Sequence, residues 1–128
     1  MIKINSTLFF LFIFLCLSIN AEAQSKVSWQ DSLLTFDYGD LDYGSSYDHA
    51  FLFKNLSSDT LSIETIRTDC GCTVPEWEDI QIPPGETGEI LVSYTPKREG
   101  YFTEKVRVFF TQQKKAEILF VKGYVFKE

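Results

Sequence analysis

Residues 87–95, Thr-Gly-Glu-Ile-Leu-Val-Ser-Tyr-Thr, place Ile90, Val92 and Tyr94 at every second position. A side-chain period of two marks a strand with one buried face. This pattern recurs along the chain and restricts the fold more than any other feature. Residues 33–38 (LLTFDY) form a similar run, ended by Gly39, and residues 47–54 (YDHAFLFK) another. Asn55 to Asp59 then reads as a turn, because Asn, Ser and Asp side chains bond to their own backbone there. In residues 60–66 (TLSIETI), Leu61 and Ile63 share one face, and the phase then slips at Ile66. Residues 80–82 (IQI) end at Pro83-Pro84-Gly85-Glu86, a turn signal. In residues 101–110 (YFTEKVRVFF), Phe102, Glu104, Val106 and Val108 share a face, and residues 116–126 form a last run.

No long segment has the 3.6-residue period of an amphipathic helix. About seven short strands with turn signals every ten residues or so predict an all-β, immunoglobulin-like β-sandwich. The distant cysteine pair around a tryptophan that defines true immunoglobulin domains is absent from the pattern.

The N-terminus differs from the rest. Lys3 precedes an apolar run from Leu8 to Leu17, and Ala21-Glu22-Ala23 follows. A basic start, a short apolar run and an A-x-A end read as a secretory signal peptide cleaved after Ala23. The run falls short of the roughly 20 residues of a stable membrane span. The expected organisation is a signal at 1–23, a loose lead-in at 24–32, and one sandwich domain at 33–128. No stable membrane span remains after signal removal. Cleavage removes Lys3 and Glu22 together, so the net charge stays at −6. That balance argues against a nucleic-acid partner, whose phosphates call for a basic surface.

Cleavage also removes Cys16 and leaves Cys70 and Cys72, in Thr-Asp-Cys-Gly-Cys-Thr-Val-Pro (68–75). An oxidising compartment favours pairing of thiols. Residues i and i+2 of a strand lie near the limit for a disulfide, and Gly71 can bend the chain to bring them closer. A loop this small restrains the unfolded chain little, so such a bridge is expected to be labile. The alternatives stay open: two packed thiols, a soft-metal half-site, or a redox couple. His49 is the chain's single histidine and offers only a third ligand, short of a four-ligand structural zinc site. No nucleophile motif accompanies His49, so it reads as a surface or strand-edge residue and no catalytic residue is assigned. No cofactor is implied.

Three aromatic residues are candidate contact points. Tyr38 and Tyr43 lie in the repeated Asp-Tyr-Gly units at 37–39 and 42–44, which fail the spacing of a calcium loop and read as tight turns. Trp77, in Pro-Glu-Trp-Glu-Asp, either caps the sandwich beside the cysteines or marks a contact surface. Glu117-Ile118-Leu119-Phe120-Val121 is almost continuously apolar. At a sheet edge it would suit pairing with another chain, and at a sheet centre it is only a buried strand.

Taken in order, FDYGDLDYG (36–44), FLFKN (51–55), LSIETIRTDCGCTVP (61–75), IPPGETGEILVSYTP (82–96), GYFTEKVRV (100–108) and VKGYV (121–125) resemble the secreted bacterial family called domain of unknown function 1573. The resemblance spans about 33–126, and the CGCT-P element is its specific part. That family is similar to the PapD, ASH and major sperm protein branch of immunoglobulin-like sandwiches. The resemblance implies protein contact or scaffolding in the periplasm or envelope of a Gram-negative bacterium, with an unidentified envelope partner and no enzymatic activity. A PapD-like chaperone has two domains, whereas one is seen here. A thiol site acting through Cys70 and Cys72, and glycan binding on the Tyr38 and Tyr43 side, are the alternative functions.

Overall fold

A computed structural model describes residues 5–16 and 25–127. The apolar N-terminal run forms a helix, α1 (Ser6–Cys16). Among the described residues no helix is long and apolar enough to cross a membrane. The Ala21-Glu22-Ala23 cleavage motif lies outside the described residues.

The rest is a sandwich of eight strands: β1 (Val27–Trp29), β2 (Thr35–Asp42), β3 (Tyr47–Asn55), β4 (Ile63–Thr68), β5 (Thr73–Trp77), β6 (Thr87–Tyr94), β7 (Gly100–Phe110) and β8 (Glu117–Phe126). They form two sheets of four, ordered β1-β3-β6-β5 and β2-β8-β7-β4. All pairs are antiparallel except β2 with β8. The inward stripes meet between the sheets: Phe51 and Phe53 of β3, Ile90 and Val92 of β6, Val106, Val108 and Phe110 of β7, Leu119 and Val121 of β8. Trp29 of β1 closes one end, its ring 5.2 Å from Phe53 and 6.2 Å from Phe110.

Several expectations shift. The lead-in is not loose throughout, because Val27–Trp29 pairs with β3. Residues 80–82 contribute only a single bridge, Ile82 to Leu61, while the unexpected strand β5 takes the place beside β6. The slip of phase before Ile66 is a β-bulge between Ile63 and Thr65 against β7. A bulge inserts one residue into a strand, here Glu64, so Ile63 and Ile66 both face inward. Strand β8 is central, between β2 and β7. Its apolar run is therefore not an open edge awaiting another chain. Asp37-Tyr38-Gly39 is also not a turn. It is a bulge in β2, where Gly39 has φ +75° and its N–H donates to Asp37 Oδ1 at 2.8 Å.

Asn55, at the end of β3, is wholly buried yet has all its polar groups matched. Its Nδ2 donates to Asp59 O (2.8 Å) and Ile82 O (2.9 Å), and its Oδ1 accepts from Ser57 N (2.9 Å) and Ser57 Oγ (2.7 Å). Its backbone bonds to Gly85 and Glu86 of the Pro-Pro-Gly-Glu turn. One side chain thus ties the β3–β4 turn to the segment entering β6.

Two outcomes follow from this packing. Asn55→Ala strands buried donors and acceptors and is expected to lower unfolding free energy by about 2–4 kcal/mol in urea titration. A Cβ on Gly88 would lie 2.3 Å from Phe53 Cζ and 2.8 Å from Ile82 Cδ1, whereas one on Gly71 meets nothing within 4 Å. Gly88→Ala is expected to cost about 1–3 kcal/mol, and Gly71→Ala to stay within about 0.5 kcal/mol. Equal urea midpoints for the two variants would contradict the packing.

Candidate functional site

The Thr68–Thr73 stretch is the corner where the chain leaves one sheet for the other. It joins β4, an edge strand of one sheet, to β5, an edge strand of the second. Within it Cys70 and Cys72 are joined by a disulfide, with Cα atoms 5.1 Å apart. Gly71 does not adopt the left-handed region, so the corner turns without the backbone freedom expected of it. The Cys72 N–H points at Cys70 Sγ, 3.1 Å away. Thr73 N–H donates to Cys70 O, and Thr68 Oγ1 donates to Thr73 O at 2.9 Å with Cys70 O at 3.2 Å.

This corner also blunts a sheet edge. Thr95 N–H donates to Cys72 O in the β5–β6 ladder. By antiparallel alternation, the backbone groups of Thr73, Pro75 and Trp77 then face away from β6. The groups of Thr73 are capped by the corner, and Pro75 has no N–H to offer. A strand so equipped is a poor template for another chain.

Glu104 of β7 is the residue that sequence reasoning missed here. It occupies an inward position of a strand whose other inward residues are Phe102, Val106, Val108 and Phe110. A carboxylate oxygen of Glu104 and the sulfurs of Cys70 and Cys72 all lie within 4.8 Å of one another. Burial raises the Glu104 carboxyl above its usual range, and the Asp69 charge adds to this. Asp69 itself is lowered by its hydrogen bond from Arg107, 2.8 Å from Nη1. Tyr94, stacked on Phe102 at 3.9 Å, is raised by burial and then by Glu104. The sequence signal was available: an acid at the apolar phase of a period-two strand.

The other candidates disperse. Tyr38 turns inward, two residues after the core-packed Phe36 and so on the same face of β2, and its hydroxyl donates to Val92 O at 2.8 Å. Burial pushes its phenol far above the ordinary range, with Asp48 adding. Tyr43 is exposed, with Lys127 Nζ 5.0 Å from its ring centre. The two tyrosines therefore share no surface for a glycan. His49 is not at the surface as expected. It lies on the inward side of β3, stacked on Phe36 at 3.5 Å, with Nε2 3.1 Å from Asp31 Oδ2. His49 is thus engaged with Asp31 and Phe36, and the acid grouped with the two sulfurs is Glu104. Trp77 packs on the core and lines a cleft of about 480 Å³ with Leu52, Ile80, Ile82 and Leu91. It is both cap and surface.

A further surface was invisible in the sequence. On the outer face of the β2-β8-β7-β4 sheet, Tyr101 stands opposite Tyr124 with rings 4.6 Å apart, and Tyr124 lies 4.7 Å from Phe126. Tyr101 is 89% exposed.

Residues 28–125 match the family model described as "Protein of unknown function (DUF1573)". No curated protein matches the sequence. Among solved structures, a protein of unknown function from Porphyromonas gingivalis superposes with TM-score 0.66 at 16% identity, over 82% of this chain and 51% of that one. This chain thus spans about half of that relative. The ASH/PapD-like domain of human CEP192 gives TM-score 0.69 at 7% identity, over 86% and 94% of the two chains. A major sperm protein family member from C. elegans gives 0.56 at 8% identity, over 80% and 100%. At these identities the likeness concerns the fold.

The Glu104 environment has a signed consequence for stability. Its folded-state pKa lies above the unfolded value, so its contribution is most favourable at acid pH and is lost as pH rises through the folded value. Glu104→Gln removes that loss. Relative to the parent, the variant should gain stability progressively over the pH range above the ordinary glutamate value of about 4.3 in urea melts. A constant difference across that range would refute the assignment.

Proposed function

The chain belongs to the DUF1573 family, and from that premise we propose that it is an exported, non-catalytic module that makes protein–protein contacts. The observation that carries the reading is the aromatic row Tyr101, Tyr124 and Phe126 on an outward sheet face, with exposed Tyr43 nearby on Phe126's side. Large aromatics held in the open are costly to hydrate, and Tyr and Phe are enriched in the centres of contact surfaces. Lys122 and Thr103 flank the row across the same register, so it has the polar rim such surfaces carry. The likeness to PapD-like and major sperm protein folds supports a binding role over an enzymatic one. The disulfide and the basic–apolar–Ala-x-Ala N-terminus support export to an oxidising compartment such as the periplasm or envelope.

A photoreactive residue placed at Thr103 is expected to give discrete protein adducts in exporting cells. Tyr101→Ser/Tyr124→Ser should reduce their yield about tenfold or more, as loss of central aromatic contacts does. Its urea midpoint should hardly move, since both side chains lie outside the core. Adducts forming instead from a probe at Leu52, on the opposite sheet, would overturn the assignment.

A further inference from the structure

We propose that Cys70, Cys72 and Glu104 form a thiol–disulfide exchange site, with Cys70 the sulfur that an external thiol reaches, Cys72 the resolving sulfur, and Glu104 the group that exchanges a proton with it. The site lies at the sheet-switching corner and shares no residue with the aromatic row, so the two readings are tested separately.

Three features of the corner carry this. The two sulfurs are unequal: Cys72 is 5% exposed and packs among Leu41, Tyr94 and Val125, while Cys70 is only partly covered. The partly open sulfur also receives the Cys72 N–H at 3.1 Å, a donor that favours negative charge on Cys70. The buried sulfur has no such access to water, and a carboxyl stands within 4.8 Å of both. A single water or a modest side-chain rotation spans that separation. Opening the disulfide also frees both sulfurs to rotate.

Among the described residues no cation inside the sandwich explains the inward placement of Glu104. The cations nearby are Lys105 and Arg107, which alternation puts on the outer side of β7, and Arg107 is held by Asp69. The other titratable groups around the corner are Asp69 on the corner itself, Tyr94 of β6, Tyr38 of β2 and Tyr47 of β3. Burial raises the phenols of Tyr38 and Tyr94 and so favours their neutral form. Burial and Asp69 both favour the protonated form of Glu104, so it retains a proton to higher pH than an exposed glutamate would.

The step balances with a dithiol as co-reactant. A donor thiolate attacks Cys70 Sγ. A bond forms between donor sulfur and Cys70 Sγ, the Cys70–Cys72 bond breaks, and its electron pair leaves on Cys72 Sγ. Glu104 gives that thiolate its proton. The donor's second thiol loses its proton to solvent and attacks the donor sulfur of the mixed disulfide, releasing Cys70 as a thiolate, which solvent protonates. The donor ends as a disulfide and the domain as a dithiol, reduced by two electrons. Solvent returns the proton to Glu104. In the reverse direction Glu104 takes the proton from Cys72, and the reduced pair can deliver electrons to a disulfide.

The full chain is tested with dithiothreitol and glutathione. The rate of reduction by dithiothreitol, divided by its thiolate concentration, should fall about tenfold as pH rises and Glu104 ionises. Glu104→Gln should be about tenfold slower at the acid end of the profile and flat with pH, and Glu104→Asp should restore the slope. Acid quenching of the parent chain during reduction by glutathione should trap the adduct on Cys70, which peptide mapping reads without any variant. An adduct on Cys72, or the same pH profile in the parent and Glu104→Gln, would overturn the site.

Discussion

Every strand of this domain has to present one face to a single dry layer between two sheets. Phe51, Ile90, Val92, Val106, Val108, Leu119 and Val121 are fully excluded from solvent there. Burial of such apolar area is the main favourable term in folding, and it is lost at any strand whose phase drifts. The bulges in β2 and β4 restore that phase where the sequence would break it. The same constraint decides which polar groups can exist inside. Asn55 is admitted because four hydrogen bonds satisfy it, and Tyr38 because Val92 O accepts its proton. Glu104 is admitted only near the end of the sandwich, beside the disulfide corner.

The corner therefore joins structure and chemistry. As structure it carries the chain between sheets and caps the open side of β5, with Pro75 removing the donor that would come next. A disulfide closing so small a ring restrains the unfolded chain by only about 1–2 kcal/mol. Its worth to the fold is thus modest, and its conspicuous features are chemical: one reachable sulfur, one buried sulfur and an acid within 4.8 Å. The aromatic row on the outer sheet face stands apart from this corner. Contact and thiol exchange can occupy different surfaces of a domain this size without competing.

Much of the fold was legible from the chain. β3, β6, β7 and β8 lie close to the runs read from period two, because alternation depends only on backbone geometry. The strand β5 was missed because Thr-Val-Pro-Glu-Trp carries a proline and little apolar alternation. An edge strand tolerates both. Val27–Trp29 was missed because three residues are too few to show a period. Of the site, the cysteine pair was legible and Glu104 was legible only as an acid on an apolar face, while its closeness to the sulfurs was not.

What the sequence determined by itself was local: where strands begin and turn, which side chains share a face, and that two cysteines stand close enough to bridge. Tertiary structure alone decided the relations between distant segments. It made β8 central and β5 an edge, turned Tyr38 and His49 inward, set Tyr101 opposite Tyr124, and brought Glu104 to the sulfurs. The physical reason is that alternation follows from the geometry of one strand. Strand order, register and sheet packing minimise exposed apolar area and unpaired backbone over the whole chain, and no single segment carries that sum.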